Sequence, residues 1–384
     1  MLHCSKNISG IPEIKRVNNR DVVNNGGLIM SDLQQQNQNN TEEVLFGAVQ
    51  HNLSDILPSA SEVGHLWTSY LAESMSVCFL KYYVAKSQDP DIHAVLQRAL
   101  DISSQRVNTM RDIFNSIHHP IPEAYGERDV DVNAKQLFSE SFTIKYTRLM
   151  HKFILINYSN SLSLASRSNV RLYFSECLNT SQEIHQKATE VLLAKGLLLK
   201  TPSIVIPDRV DFVHNKEYLG SILGLGGQRP LNAMEISHIG SLMETKQLLK
   251  TLNLGYGQVV KSEKVKRFIS QAKQTADKQL KKLGSYLDDE DLPKPIITSN
   301  LVTDSTESPH SDKLIMCHVT VVIATIIAEF GISVANTARK DLATTFANFS
   351  LEVLLLAKDG AELMIESGWL EKLPQTANRK ELMN

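Results

Sequence analysis

The sequence predicts an all-α protein made of two tandem four-helix bundles, pseudo-twofold related, each with a long crossover between its second and third helices. Three observations predict it. Apolar residues recur at i, i+3, i+4 and i+7 through long stretches, as in Val95, Ala99, Ile102, Val107, Met110 and Phe114. Glycine and proline are scarce, 18 and 12 in 384 residues, which is too little punctuation for a turn-rich β protein. The chain also repeats itself.

The repeat is read from its ends inward. Lys195-Gly196-Leu197 matches Ser367-Gly368-Trp369 at a spacing of 172, and the same spacing sets Arg167 on Arg339, Phe174 on Phe346, Ser161 on Ser333 and Ser139 on Ser311. Upstream, Glu62-Val63-Gly64-His65 matches Glu235-Ile236-Ser237-His238, and Pro120-Ile121-Pro122 matches Pro293-Lys294-Pro295, at 173. One residue lost in the loop between reconciles the two spacings.

Helical phase and loop punctuation then give four helices per repeat. In the first they span 59–87, 91–117, 134–167 and 168–195; in the second, 232–259, 262–287, 311–339 and 340–367. Asp89-Pro90-Asp91 breaks one helix and starts the next, and Gly196 and Gly368 are suited to end the fourth. Helices one and two, and three and four, are joined by so few residues that each pair must be a hairpin. Helices two and three are joined by longer segments, His118 to Asn133 and Asp288 to Pro309. Sixteen extended residues reach roughly 50 Å, against the ~45 Å of a 30-residue helix, so the linker can return along the whole bundle. That is the crossover of a ferritin-like bundle.

The domain division is then 1–50 as a disordered Asn/Gln-rich tail, 51–200 and 231–374 as the repeats, 201–230 as a linker and 375–384 as a terminal tail. The run Gln34-Gln35-Gln36-Asn37-Gln38-Asn39-Asn40 lacks the apolar surface to offset ordering. Gly26-Gly27 codons can read as a ribosome-binding sequence, which makes Met30 an alternative start. Leu223 to Pro230 is glycine-rich, but no strand precedes it and no Gly-Lys-Ser/Thr follows, so it reads as a connector and not a phosphate loop.

Composition narrows the function. With 40 basic against 42 acidic side chains the chain has no charge bias toward nucleic acid. Cys4, Cys78, Cys177 and Cys317 lie far apart with no metal or redox spacing, and no secretory signal pattern is present, which together suggest the cytoplasm. Residues 314–335 approach the length of a membrane span, but they carry His318 and Glu329, and a helix buried between bundles is the reading preferred.

The duplicated Lys-Gly-Leu and Ser-Gly-Trp-Leu-Glu ends, the Pro-x-Pro crossovers and Arg229-Pro230-Leu231-Asn232-Ala233-Met234-Glu235-Ile236 resemble an uncharacterised family of Bacillus-type endospore formers. That family looks like tandem ferritin-like bundles, distantly similar to CotF-like spore-coat proteins. The resemblance implies a fold and a spore association; it implies no functional residues.

A ferritin-like bundle raises one enzyme hypothesis, a carboxylate-bridged di-iron or manganese centre. Such a centre takes a Glu from each of two helices and Glu-x-x-His from each of the other two. Here Glu62/His65 and Glu235/His238 have the spacing but both fall on first helices, so the full pattern fails. Repeat two keeps a reduced candidate: Glu235 and His238 on its first helix, His318 and Glu329 on one stripe of its third, and Glu352 on its fourth. In repeat one the positions of His318 and Glu329 hold Tyr146 and Asn157. No G-x-S-x-G, H-E-x-x-H or P-loop is present. The sequence therefore predicts a non-enzymatic structural or interaction protein with no cofactor, associating with protein partners or with itself. The alternative is a ferritin-like metal-binding protein or oxidoreductase with iron or manganese in repeat two.

Overall fold

The computed structural model describes residues 43–46, 49–52, 56–221, 228–297 and 300–383. The Asn/Gln run, the alternative start at Met30, Cys4 and the glycine-rich stretch 223–227 lie outside them. The chain divides into two compact units, Met1–Leu57 and Pro58–Asn384.

In the first unit β1 (Glu43–Phe46) and β2 (Val49–Asn52) pair antiparallel, Glu43 opposite Asn52 and Phe46 opposite Val49. The pair straddles the tail boundary expected at residue 50. Val44, Leu45, Phe46 and Val49 supply the β-branched and aromatic character that the preceding Asn/Gln run lacks.

The described residues of the second unit form eight long helices: α1 (Ala60–Lys86), α2 (Pro90–Ser116), α3 (Glu140–Ser163) and α4 (Ser168–Ala194), then α5 (Ala233–Val259), α6 (Glu263–Asp288), α7 (Asp312–Ala335) and α8 (Lys340–Glu366). A short α9 (Arg379–Leu382) follows. Local chemistry explains most ends. Ser59 and Asn232 form capping boxes with Glu62 and Glu235, and Asp89 caps α2 with Pro90 at its first position. Gly196 and Gly368 take φ of 65° and 67°, the left-handed conformation that closes α4 and α8. There Leu197 N–H donates to the Leu192 carbonyl and Trp369 N–H to that of Met364.

Three boundaries differ from expectation, for two reasons. α3 begins at Glu140 and not 134, because residues 130–139 are engaged by the other repeat, as described below. α3 and α7 stop at Ser163 and Ala335, short of Arg167 and Arg339, because carboxylates from α1 and α5 capture the turns that follow.

α1 packs on α2, α3 on α4, α5 on α6 and α7 on α8; α2 also meets α4, α1 meets α3, α6 meets α8 and α5 meets α7. Between repeats α3 touches α5 and α1 touches α7, which are equivalent pairs. The two crossovers pair with each other in the same reciprocal way. Asp131 N–H donates to the Pro309 carbonyl and Ser311 N–H to that of Asp129; the equivalents, Thr303 to Leu137 and Ser139 to Leu301, are also made, all at 2.9–3.0 Å. Val130 bridges His310 and Phe138 bridges Val302. Residue i of one repeat meeting j of the other, and j meeting i, is the signature of an isologous interface. Lys135 and Glu307, one position in two copies, form an ion pair at 2.8 Å and so lie on the axis.

The core follows this axis. One buried cluster runs from Phe79 and Tyr82 through Phe138 and Phe142 to Leu252 and Met364, crossing both repeats. Leu66, Phe114 and Phe174 centre a second cluster in repeat one. Gly255 shows the closeness of the fit: a Cβ there would stand 2.5 Å from the Phe138 ring.

Candidate functional site

The expected metal-ligating residues are all placed, and each has a partner of its own. Glu235 is fully buried at the start of α5. Arg229 donates to both its oxygens at 2.8 Å, and the same carboxylate accepts the backbone N–H of Asn232 at 3.0 Å and of Arg339 at 2.9 Å. Burial alone would raise its pKa, but these donors hold it below the usual carboxylate value. Glu62 repeats the arrangement, accepting from Ser166 N at 2.8 Å and Arg167 N at 2.6 Å. α4 and α8 have no side-chain cap from their own N-cap residues. The glutamates cap those starts from another helix, which is why the sequence has Arg and not Ser, Thr or Asp there.

His238, one turn along α5, reaches the Ser333 hydroxyl at 3.4 Å, as His65 reaches Ser161 at 3.1 Å. Burial lowers the pKa of both imidazoles. His238 Nε2 is buried with no partner among the described residues.

His318 lies on the pseudo-twofold axis. Its Nε2 meets the Tyr146 hydroxyl and its Nδ1 the Tyr256 hydroxyl, each at 2.7 Å, and the Phe79 ring lies 4.2 Å away. A neutral imidazole has one donor and one acceptor nitrogen, so one tyrosine donates and the other accepts. Burial pushes the His318 pKa down to about 3, which keeps the ring neutral. Both nitrogens are used, so no lone pair is left for a metal.

Glu329 faces repeat one. It takes Lys152 Nζ at 2.7 Å, Ser241 Oγ at 2.6 Å and Thr245 Oγ1 at 3.0 Å. Glu352 takes Lys278 Nζ at 2.6 Å and Gln279 Nε2 at 3.0 Å; burial raises its pKa and these two donors lower it, with a net fall. The expected meeting of these groups does not occur. Among the described residues no three His, Cys, Asp or Glu side chains are placed to share an ion. The donor set does not fit iron or manganese, since its carboxylates already face Arg or Lys and its central imidazole is saturated.

Sequence reasoning missed what fills the middle of each repeat. In repeat one Glu73 and Arg106 are buried and paired at 2.8 Å. Tyr158 also donates to Glu73, and Arg106 reaches Thr180 and Ser181. At the equivalent of Glu73, repeat two has Lys246, fully buried and 4.9 Å from the Phe330 ring centre. Burial lowers its pKa to about 7, against the opposing pull of Glu329 and Glu352. It lines a cavity of about 20 Å³ with Asn253 and Thr275, room for one water. Each repeat thus keeps a basic side chain in its interior, Arg106 beside Glu73 in one and Lys246 in place of that glutamate in the other. The signal was available: Glu73 and Lys246 both fall on the apolar phase of their helices, at Tyr70-x-x-Glu73 and Met243-x-x-Lys246.

α7 is long and apolar enough to cross a membrane, the one such helix among the described residues, yet 56 % of its most apolar stretch is buried within the fold.

Comparison with known proteins places this geometry in context. A family model described as "Protein of unknown function (DUF3231)" matches the chain twice, over residues 56–210 and 221–382. No curated protein matches it. Among solved structures, one described as a "putative spore coat protein" from Bacillus halodurans is similar over 42 % of this chain and 100 % of its own, at 20 % identity and a TM-score of 0.33.

Proposed function

The chain belongs to the DUF3231 family of proteins of unknown function, and from that premise we propose that it is a non-enzymatic structural or interaction protein. One observation carries the reading: the buried ionisable groups a metal centre would need are committed to caps, ion pairs and the repeat interface. Glu235 closes α8, His318 bridges two tyrosines, and Glu329 ties repeat two to Lys152 of repeat one. These contacts stabilise one arrangement and leave Glu235, His318 and Glu329 engaged, with no position free for a substrate.

We take each repeat as a ferritin-like bundle, supported by its two hairpins and the long crossover between them, with Glu73–Arg106 or Lys246 where a metal centre would lie. Elemental analysis of protein purified without a metal-affinity tag tests the reading. Less than about 0.1 metal per chain is expected, since no built coordination sphere retains ions through purification. Stoichiometric iron, manganese or zinc that disappears in His318→Ala or His238→Ala overturns it.

Spore-coat association is the part of the proposal that rests on sequence resemblance alone. In fractionated sporulating cells the protein is expected with the coat; confinement to vegetative cytosol contradicts that part.

A further inference from the structure

Apart from the stripe of His318 and Glu329, which is satisfied inside the fold, α7 is apolar around its circumference, and apolar helix sides call for cover. The chain covers only part of it. Val321, Ala324, Ala328 and Ile332 fall on one stripe of α7 and are exposed. The neighbouring α8 exposes Leu351, Leu354 and Leu355 at 57 %, 52 % and 57 %, with Ala347 beside them. The stripes adjoin, because Phe330 lies on Phe346 and Thr320 on Met364, which sets Ala324 level with Leu354. The twelve residues of α7 from Val321 to Ile332 at about 1.5 Å each, two helix widths across, make a face of roughly 18 by 20 Å, the size of patch that marks an interaction site.

The internal repeat shows that the fold does not require this face. The positions of Ile332, Leu351, Leu354 and Leu355 are Asn160, Asn179, Gln182 and Glu183 in repeat one. Repeat one keeps an exposed Ile156 at the position of Ala328, but at these four positions two copies of one structure differ, apolar in one and polar in the other.

We propose that the α7–α8 face is a self-association surface on which a second copy of the chain docks antiparallel, with α8 crossing its counterpart at Leu351. The charges select this occupant and orientation. The stripe through Leu351 carries Lys340 eleven residues before it and Glu362 eleven residues after it, both exposed and both within about 20° of its direction on the helix; Lys358, on the same stripe, holds Glu362 at 3.1 Å within the chain, an exposed pair that exchanges partners at little cost. Antiparallel docking about Leu351 sets Lys340 of each copy against Glu362 of the other, twice. Parallel docking would oppose like charges at both ends. Between those ends Leu351 meets its counterpart, Leu354 and Leu355 fall opposite Asn348 and Ala347, and Lys358 falls opposite Thr344; a chain of net charge −2 has little self-repulsion. A polar partner would leave the leucines unmatched.

The proposal rests on the structural reading above and names the partner it requires. Sedimentation equilibrium of the full chain between about 1 and 100 μM tests it, since a central apolar anchor sets affinities in that range or tighter. A mass of twice 42.9 kDa is expected. Leu351→Glu should weaken the dimer by about tenfold or more, with its circular dichroism unchanged because the site is exposed. Lys340→Glu and Glu362→Lys should each weaken it, and together restore it. A wild-type monomer at 100 μM overturns the proposal, as does a dimer indifferent to Leu351→Glu or a charge-reversed pair that fails to recover. Monomer binding to phosphatidylcholine–phosphatidylglycerol vesicles, lost in Leu351→Glu, overturns it in favour of lipid. Metal content is measured on the same sample: stoichiometric metal defeats the structural reading whatever the mass, and a metal-free monomer defeats only the docking.

Discussion

Tyr146 and His318 are the same position in the two repeats, and they touch, hydroxyl to Nε2 at 2.7 Å. A position that meets its own equivalent lies on the symmetry axis. There the sequence has made the pair unlike, so that a phenol and a neutral imidazole can share a hydrogen bond, where an apolar residue on either side would leave the other unpaired. Tyr256 completes the arrangement from α5, while its own equivalent, Tyr83, has a buried hydroxyl with no partner among the described residues.

Removing the imidazole should therefore cost more than its volume. His318→Phe leaves the Tyr146 and Tyr256 hydroxyls buried and unpaired, and is expected to lower unfolding free energy by about 2–5 kcal/mol. His238→Ala, which loses one long contact to Ser333, should cost about 1 kcal/mol. Urea denaturation of the two variants checks this; equal costs would contradict it.

The glutamate caps should be unequal. Glu62→Gln keeps one acceptor oxygen for Ser166 and Arg167 but loses the one facing Ser59 N–H and a charge near a helix start, a cost of about 1–2 kcal/mol. Glu235→Gln also strips Arg229 of its partner in a buried setting and should cost about 3 kcal/mol. Hydrogen exchange at the amide of Arg339 should quicken in the second variant and not in the first.

These contacts also show which parts of the molecule are legible in one sequence. Ser59, Asp89, Asn232 and the glycines at 196 and 368 act on backbone within a turn of themselves, and the sequence announces them. Glu62 acts on Arg167, 105 residues away, and only its repetition at Glu235 hinted at a role; its Glu-x-x-His spacing pointed instead to a metal. The start of α3 was misplaced because Ala134 to Ser139 have helical phase but pair with another crossover. His318 and Glu329 lie eleven residues apart on α7; what they meet, Tyr146 and Lys152 of the other repeat, depends on docking that no local pattern encodes.

Acid should destabilise the protein through its buried histidines. Burial depresses His318 to about 3 and His151 to about 4, and lowers His310 well below its ordinary value. The unfolded chain binds these protons below about pH 6.5 and the folded chain does not, so stability is present above 6.5 and lost as pH falls toward 4. Three protons correspond to about 4 kcal/mol per pH unit at the steepest. His318→Gln should remove about one third of that slope in a series of thermal melts.

Lys246 should be replaceable with profit to stability. Its ammonium is buried, and Glu329 and Glu352 retain Lys152 and Lys278 without it. Lys246→Met is expected to raise unfolding free energy at pH 7 by about 2 kcal/mol. Since the folded pKa lies near 7 and the unfolded value near 10.4, the wild type should gain stability from pH 7 toward 10, and the variant should not.

The central claim is that both repeats form one structure about an axis of unlike, hydrogen-bonded equivalents. The chain has two tryptophans, Trp67 in repeat one and Trp369 in repeat two, so each repeat can be followed alone. Equilibrium unfolding of Trp67→Phe and Trp369→Phe, each read by the remaining indole, should give coincident midpoints that fall together when His318→Phe is added. Two separated midpoints, with His318→Phe moving only that of repeat two, would contradict the account.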